Sequence, residues 1–281
     1  MKTYHPVRFY LIVFGLTWAF WLWAAVHPQG NNTMTLMLLG LCVPAVTALS
    51  MILFSGNQAL KADLKRKLVG FHCLRPRNMI AAIALFGLIV IASILISVLG
   101  GQSLAQLAFT EGFSFSIQGT SALATILLAA IIEEMGWRGY GEDAIAQYTS
   151  WFRESILFGG IWSLWHLPLF LIEGTYQAGL LQLGWGYALN FLLSVIPLGF
   201  LTTWVYVENN RSMLASIIFH LFVNLFQEKI AMTPQTKCLE TLVITVAAVG
   251  IVLTHRQLFF ATDHVGRLLE SGGDQSSKRR A

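Results

Sequence analysis

The chain has 281 residues, 56% hydrophobic and only 11% charged, with a formal charge of +4 and a mean hydropathy of +0.64. Soluble domains carry roughly 25% charged residues, so a water-soluble globule is excluded and the composition is that of an all-α, polytopic membrane protein. Cys42, Cys73 and Cys238 form no metal spacing and cannot all pair, so they imply no disulfide framework.

The opening run from Phe9 to Val26 is too long for a signal-peptide core and reads as a retained first span. At about 20 residues per span, windows near 8–26, 34–54, 79–99, 118–136, 155–172, 185–207, 212–229 and 239–260 predict about eight transmembrane helices. Between the second and third, Leu60, Leu64, Leu68 and Phe71 recur at helical spacing among lysines. That pattern reads either as an amphipathic helix on the membrane face or as a solvated basic loop. Segment 103–117, with Leu104, Leu107, Phe109, Phe113 and Phe115, is expected at the outer interface, and the polar tail around 271–277 is expected to be disordered. The organisation predicted is three N-terminal helices with a basic linker (1–117), a catalytic core (118–229), a last span (230–262) and a flexible tail (263–281).

Charge sets the expected orientation. With the N-terminus inside, all of the 18 Lys and Arg except Lys229 and Lys237 fall on cytoplasmic segments. Both termini are therefore expected in the cytoplasm of a cell-membrane protein.

Three windows carry polar groups: Glu133-Glu134-x-x-x-Arg138 in the fourth, Trp162-x-x-x-His166 in the fifth and His220-x-x-x-Asn224 in the seventh. Charge at membrane depth is expensive and marks function by default. At 1.5 Å per residue His166 lies about 16 Å and His220 about 12 Å from the cytoplasmic ends of their spans. The groups are thus expected to meet in one cavity in the cytoplasmic half, opening to the cytoplasm. Glu134 and Arg138 are four apart and can pair along one helix face, while Glu133 points about 100° away, toward a cavity. The bland alternatives are that the glutamates cap a span at the water interface and that His166 and Asn224 merely bridge helices, at about 0.6 kcal/mol per bond. Trp162, one turn before His166, is expected to pack against the imidazole.

These parts suffice for peptide hydrolysis. A poorly solvated carboxylate, Glu133, can act as general base on a water held by His166, and His220 with Asn224 can donate to the oxyanion. The same residues allow a second chemistry, Zn2+ bound by Glu133, His166 and His220, although no His-Glu-x-x-His motif favours a metal.

Over residues 120–228 the chain resembles the CPBP family, the CAAX proteases and bacteriocin-processing enzymes also called Abi. The resemblance is carried by Glu133-Glu134-Met-Gly-Trp-Arg138-Gly139, by Phe158-Gly-Gly-Ile-Trp-Ser-Leu-Trp-His166-Leu-Pro168, and by Asn210-Arg211-Ser212 leading to His220 and Asn224. The second motif commonly has Phe where this chain has Trp162. The resemblance implies a helical intramembrane endopeptidase of the type II CAAX prenyl protease kind, with Glu133 as base, His166 positioning water, His220 and Asn224 at the oxyanion, and Glu134 and Arg138 in support. It favours a glutamate-activated water over a metal, so no cofactor is expected.

The expected partners are the bilayer and a peptide or membrane-protein substrate, lipidated ones included, with no nucleic acid. Two other classes fit the same residues: a non-catalytic peptide-binding or immunity scaffold, and a proton-coupled transporter. Against transport, the polar groups do not continue as a line across the membrane, and the spans show no broken-helix pairs in matching halves.

Overall fold

The computed structural model describes residues 3–28, 30–110 and 121–269. Among them there is no β-strand, only one isolated bridge between Phe109 and Ile230. The helices are α1 (Pro6–Val26), α2 (Gly30–Leu53), α3 (Gln58–Val69), α4 (Pro76–Leu99), α5 (Ala122–Gly136), α6 (Glu142–Ala146), α7 (Trp151–Trp165), α8 (Tyr176–Leu183), α9 (Trp185–Glu208), α10 (Met213–Lys229), α11 (Pro234–Thr254) and α12 (Arg256–Phe260). Their starts are encoded locally. Pro6, Pro76 and Pro234 open α1, α4 and α11, where a missing N–H costs nothing. Ser121, Thr175 and Ser212 accept from the first turns of α5, α8 and α10.

Five helical segments are long and apolar enough to cross a membrane: 6–26, 32–53, 76–99, 185–208 and 234–254. The bent run of α7 and α8 makes a sixth if it is counted as one span. Among the described residues this measure of length and composition does not reach the expected eight. The fourth and seventh windows are α5, with 15 residues, and α10, with 17, and the start of the fourth window, 118–120, lies outside the described residues. The fifth window is also not uninterrupted. After His166 the chain enters a 3-10 turn, Leu167–Leu171, containing Pro168, and bends by 77° into α8. Residues 113 and 115 of the expected interfacial segment, and the tail at 271–277, lie outside the described residues.

Two apolar clusters hold the bundle. One joins α1, α2, the turn after α5 and α7 through Phe9, Trp21, Ile52, Trp137, Phe158 and Trp165. The other joins α4, α9, α10 and α11 through Phe86, Leu201, Val205, Phe219 and Ile244. Leu198 of α9 packs on both. Small residues let the site-bearing helices approach. A Cβ on Gly136 would stand 2.4 Å from Pro44 Cβ, and one on Gly159 would stand 2.9 Å from Ile196 Cα. These contacts fix α5 on α2 and α7 on α9 at backbone distance.

The linker between α2 and α4 is a helix, α3, with Leu60 and Leu64 buried beneath it. Its polar face is not solvated. Asp63 and Lys67 are buried in a cluster with Asp143 and Arg211. Lys67 Nζ lies 3.1 Å from Asp63 and pairs with Asp143, while Arg211 lies 2.7 Å from Asp63 and pairs with Asp143. Tyr206 donates to Asp143 at 3.2 Å, Tyr4 donates to Asp63 at 3.3 Å, and Arg211 donates to the Leu268 carbonyl at 3.0 Å. This cluster ties the N-terminal segment, α3, α6, the α9–α10 turn and the chain after α12 together at one end of the bundle. Arg211 reaches it from a left-handed backbone, φ 57°, next to Asn210 at φ 54°. Such a conformation costs about 1–2 kcal/mol for a residue with a Cβ, and Arg211 adopts it where its guanidinium meets Asp63 and Asp143.

Burial alone would push the carboxyls of Asp63 and Asp143 up, but Arg211 and Lys67 hold both below the usual carboxylate range. The stabilisation is therefore fully present above about pH 4, the ordinary Asp value, and is lost as the pH falls through the lowered folded values. Asp143→Asn leaves Lys67 and Arg211 sharing Asp63 alone, and breaking a buried pair costs about 3–5 kcal/mol. The melting temperature in detergent at about pH 7 should fall clearly. An unchanged melt would show that the cluster does not hold this end together.

Candidate active site

Glu133 and Glu134 stand in the last turn of α5, where successive side chains diverge by about 100°. The divergence separates their environments. Glu133 is 9% exposed and faces a cavity, whereas Glu134 is fully buried behind it. Arg138, also fully buried, donates from Nη1 to Glu134 Oε1 at 3.0 Å and pairs through Nη2 with Glu142 Oε1 at 2.9 Å. Both partners lie four residues away. A π-helical turn, Trp137–Gly141, separates α5 from α6 at this point, a distortion that recurs at functional sites. The Arg138 guanidinium stands 4.8 Å from the Phe158 ring centroid, a cation–π contact in place of water.

His220 Nδ1 lies 2.8 Å from Glu134 Oε1. A carboxylate oxygen accepts, so Nδ1 carries the proton and Nε2 is the ring atom left for the cavity. His166 Nδ1 lies 2.7 Å from the Trp162 carbonyl. A carbonyl only accepts, so here too Nδ1 is the donor, and the neutral ring offers the Nε2 lone pair. Trp162 does more than pack. Its indole Nε1 donates to Glu133 Oε2 at 3.2 Å, and its ring stands 6.0 Å from His166 and 5.8 Å from His220, centroid to centroid. Asn224, one turn beyond His220, lines the same cavity. Glu133, Trp162, His166, His220 and Asn224 therefore share one wall system, with Glu134 and Arg138 behind it.

Further partners were not singled out from the sequence. Thr203 Oγ1 of α9 lies between Glu142 and Glu154, 3.3 Å from an oxygen of each, and its single proton can serve either. The buried chain His220–Glu134–Arg138–Glu142–Thr203–Glu154 thus runs from the cavity toward the charged end of the bundle. The Arg138–Glu142 spacing carried a signal, since it repeats the Glu134–Arg138 interval. Thr203 and Glu154 carried none, because only packing brings α7 and α9 to α6.

The cavity measures about 1080 Å³. Pro28 and Thr33, then Glu173, Thr175 and Tyr176, then Ala231, Pro234 and Lys237 line its outer part. These residues belong to the α1–α2, α7–α8 and α10–α11 connections and to the first turns of the helices that follow them. They lie at the end of the bundle opposite the Asp63–Asp143–Arg211 cluster. The outer lining and the basic segments thus lie toward opposite ends of the bundle. Depth along straight spans locates side chains but says nothing about which end the neighbouring helices close.

The family described as type II CAAX prenyl endopeptidase, Rce1-like, matches residues 115–226, a stretch that contains all three motifs. A relative from Methanococcus maripaludis, named CAAX prenyl protease 2, is 36% identical over 261 residues, which is 92% of this chain and 96% of the relative. Similarity of that extent, across both chains nearly end to end, shows that this chain belongs to the Rce1-like type II CAAX prenyl endopeptidases and is a multi-pass membrane peptidase of that family.

Proposed function

We propose that the protein releases a short C-terminal peptide from a membrane-tethered, prenylated polypeptide by attack of a water activated on Glu133. The carrying observation is the direction of the lone pairs. Glu133 Oε2 is occupied by the Trp162 indole, leaving Oε1. The Trp162 carbonyl takes the His166 Nδ1 proton, leaving Nε2 as an acceptor. A water has two hydrogens, and Glu133 Oε1 and His166 Nε2 offer it two acceptors. That arrangement turns its own lone pair toward the scissile carbonyl. Glu133 takes a proton as the C–O bond forms, and returns it to the leaving amine as the C–N bond breaks. His220 and Asn224 stand at the oxyanion. With Nδ1 committed to Glu134, His220 donates from Nε2 only when the ring carries both protons, and the Glu134 carboxylate accommodates that form. Arg138 and Glu142 keep Glu134 in place.

The prenyl group comes from what the Methanococcus maripaludis relative is named for. It is supported by the size of the cavity, at the upper limit of the roughly 300–1000 Å³ of small-molecule sites, and by the apolar wall of Trp21, Met34, Met37 and Leu41. We read the chemistry as metal-free. Among the described residues no three His, Cys, Asp or Glu side chains converge as a ligand set. Zn2+ on Glu133, His166 and His220 is the competing chemistry.

Comparing protein termini in membranes holding wild type or Glu133→Gln should show cleavage products with the wild type only. Equal products in both would remove Glu133 as base. On a purified substrate, His220→Ala and Asn224→Ala should each slow turnover by about 10²–10³, the scale of one oxyanion donor, and a near-normal rate in either would remove that assignment. Strong chelators should leave the rate unchanged, whereas a loss restored by added zinc would establish the metal chemistry.

We also propose, on the charge bias, that the basic end faces the cytoplasm, so that the mouth faces the other side of the membrane. In a chain with its native cysteines replaced, Glu173→Cys at the mouth should react with an impermeant maleimide on intact cells. Lys65→Cys at the basic end should react only after permeabilisation. The reverse pattern would place the mouth in the cytoplasm, against the charge bias.

A further inference from the structure

A second cavity, of about 690 Å³, lies against the first turn of α7. Ser150, Phe152 and Arg153 line it on one side, and Phe260, Thr262 and Val265 on the other. Ser150 stands at the N-cap but makes no capping bond. It is only 8% exposed, and its hydroxyl has no hydrogen-bond partner among the described residues. The backbone N–H groups of Trp151, Phe152 and Arg153 likewise meet no acceptor among them. Buried donors without partners are costly, and the start of a helix adds the positive end of its dipole. Among the described residues the lining includes Arg153 and no carboxylate. Glu154, the acid of that turn, is fully buried beside Thr203 and outside the lining. A hydroxyl, three amides and a guanidinium are together a donor set for a phosphate.

The position of the cavity identifies what carries the phosphate. It lies at the charged end of the bundle, where the chain after α12 folds back over α7. His264 Nε2 stands 3.0 Å from the Thr149 carbonyl, and its ring stacks on Trp151 at 5.1 Å. The Gly266 N–H donates to the Gln147 carbonyl at 3.0 Å. Tyr148, also in the lining, and Phe260 are exposed, as aromatic residues at headgroup depth are. The Phe152 and Phe260 rings stack at 4.8 Å, which sets an apolar wall beside the phosphate donors. Donors next to an apolar wall at the membrane interface match the two parts of a phospholipid. We propose that this cavity binds the headgroup phosphate of an anionic phospholipid through Ser150, the first amides of α7 and Arg153, with its acyl chains along Phe152 and Phe260. The lipid thereby anchors the start of the helix that carries Trp162 and leads into His166. The binding site stands independently of the peptidase reading.

The test uses purified, delipidated full-length protein in detergent at fixed ionic strength. It is titrated with phosphatidylglycerol, with phosphatidylcholine of the same chains, and with inorganic phosphate. Native mass spectrometry reads the lipid retained, and the melting temperature reads its effect on the fold. Wild type should retain phosphatidylglycerol in preference to phosphatidylcholine and melt higher with it. Arg153→Gln, at an exposed position, should weaken phosphatidylglycerol binding by about tenfold, the scale of one charge-assisted hydrogen bond. Arg77→Gln, at an exposed arginine of α4 outside the lining, should leave binding unchanged. Equal losses in the two variants would reduce the effect to diffuse surface charge and overturn the site. Inorganic phosphate that raises the melting temperature as much as the lipid does would make free phosphate the ligand and overturn the lipid. Equal retention of the two lipids by wild type would overturn the proposal without any variant, so it does not depend on Arg153→Gln folding.

Discussion

Charge inside an apolar bundle must be paired, and the architecture of this protein follows from that constraint. Water is not at hand to solvate a carboxylate or a guanidinium, and leaving one buried partner alone costs several kcal/mol. Glu134 Oε1 meets this demand twice, accepting from Arg138 and from His220. One buried oxygen thereby couples the helix that carries the proposed base to the helix that carries the proposed oxyanion donors. Arg138 extends the coupling to Glu142, and Thr203 extends it to Glu154. Glu133 is left as the carboxylate of the pair that faces the cavity.

The same constraint shapes the two ends of the molecule. At one end Asp63, Lys67, Asp143 and Arg211 neutralise one another and close the bundle with help from Tyr4, Tyr206 and the Leu268 carbonyl. At the other, the helix connections around 28–33, 173–177 and 231–237 leave the cavity open. A charged cluster thus holds one end, while the described lining toward the other is acidic with a single lysine. Several of the basic residues that dominate the charge count are therefore structural pairs rather than free surface charge.

Much of the site was legible because its signals are local. Glu134 and Arg138 at four residues' spacing pair as their helix face requires. The 100° step between Glu133 and Glu134 put one in the cavity and the other behind it. Span counting left more open. It treats every apolar window as an independent crossing, whereas α5 and α10 have 15 and 17 residues, and the run through His166 tightens to a 3-10 turn over Leu167–Leu171 and bends by 77° between Leu171 and Tyr176. The indole donor on Glu133 was also out of reach, since a tryptophan one turn from a histidine reads as packing until a neighbouring helix supplies the acceptor.

Sequence by itself determined the class of the protein: its apolarity, the polar residues at membrane depth, and the three motifs whose order and spacing mark the family. Those features are carried by residue type and by separations of three or four along one helix, which backbone geometry converts directly into contact. Only the tertiary structure decided that the Asp63–Lys67–Asp143–Arg211 cluster closes one end, that the cavity is lined from the other, and that the Trp162 indole donates to Glu133. Each of these depends on contacts between residues far apart in the chain, and their register is set by close-packed glycines and shared buried charges rather than by any local pattern.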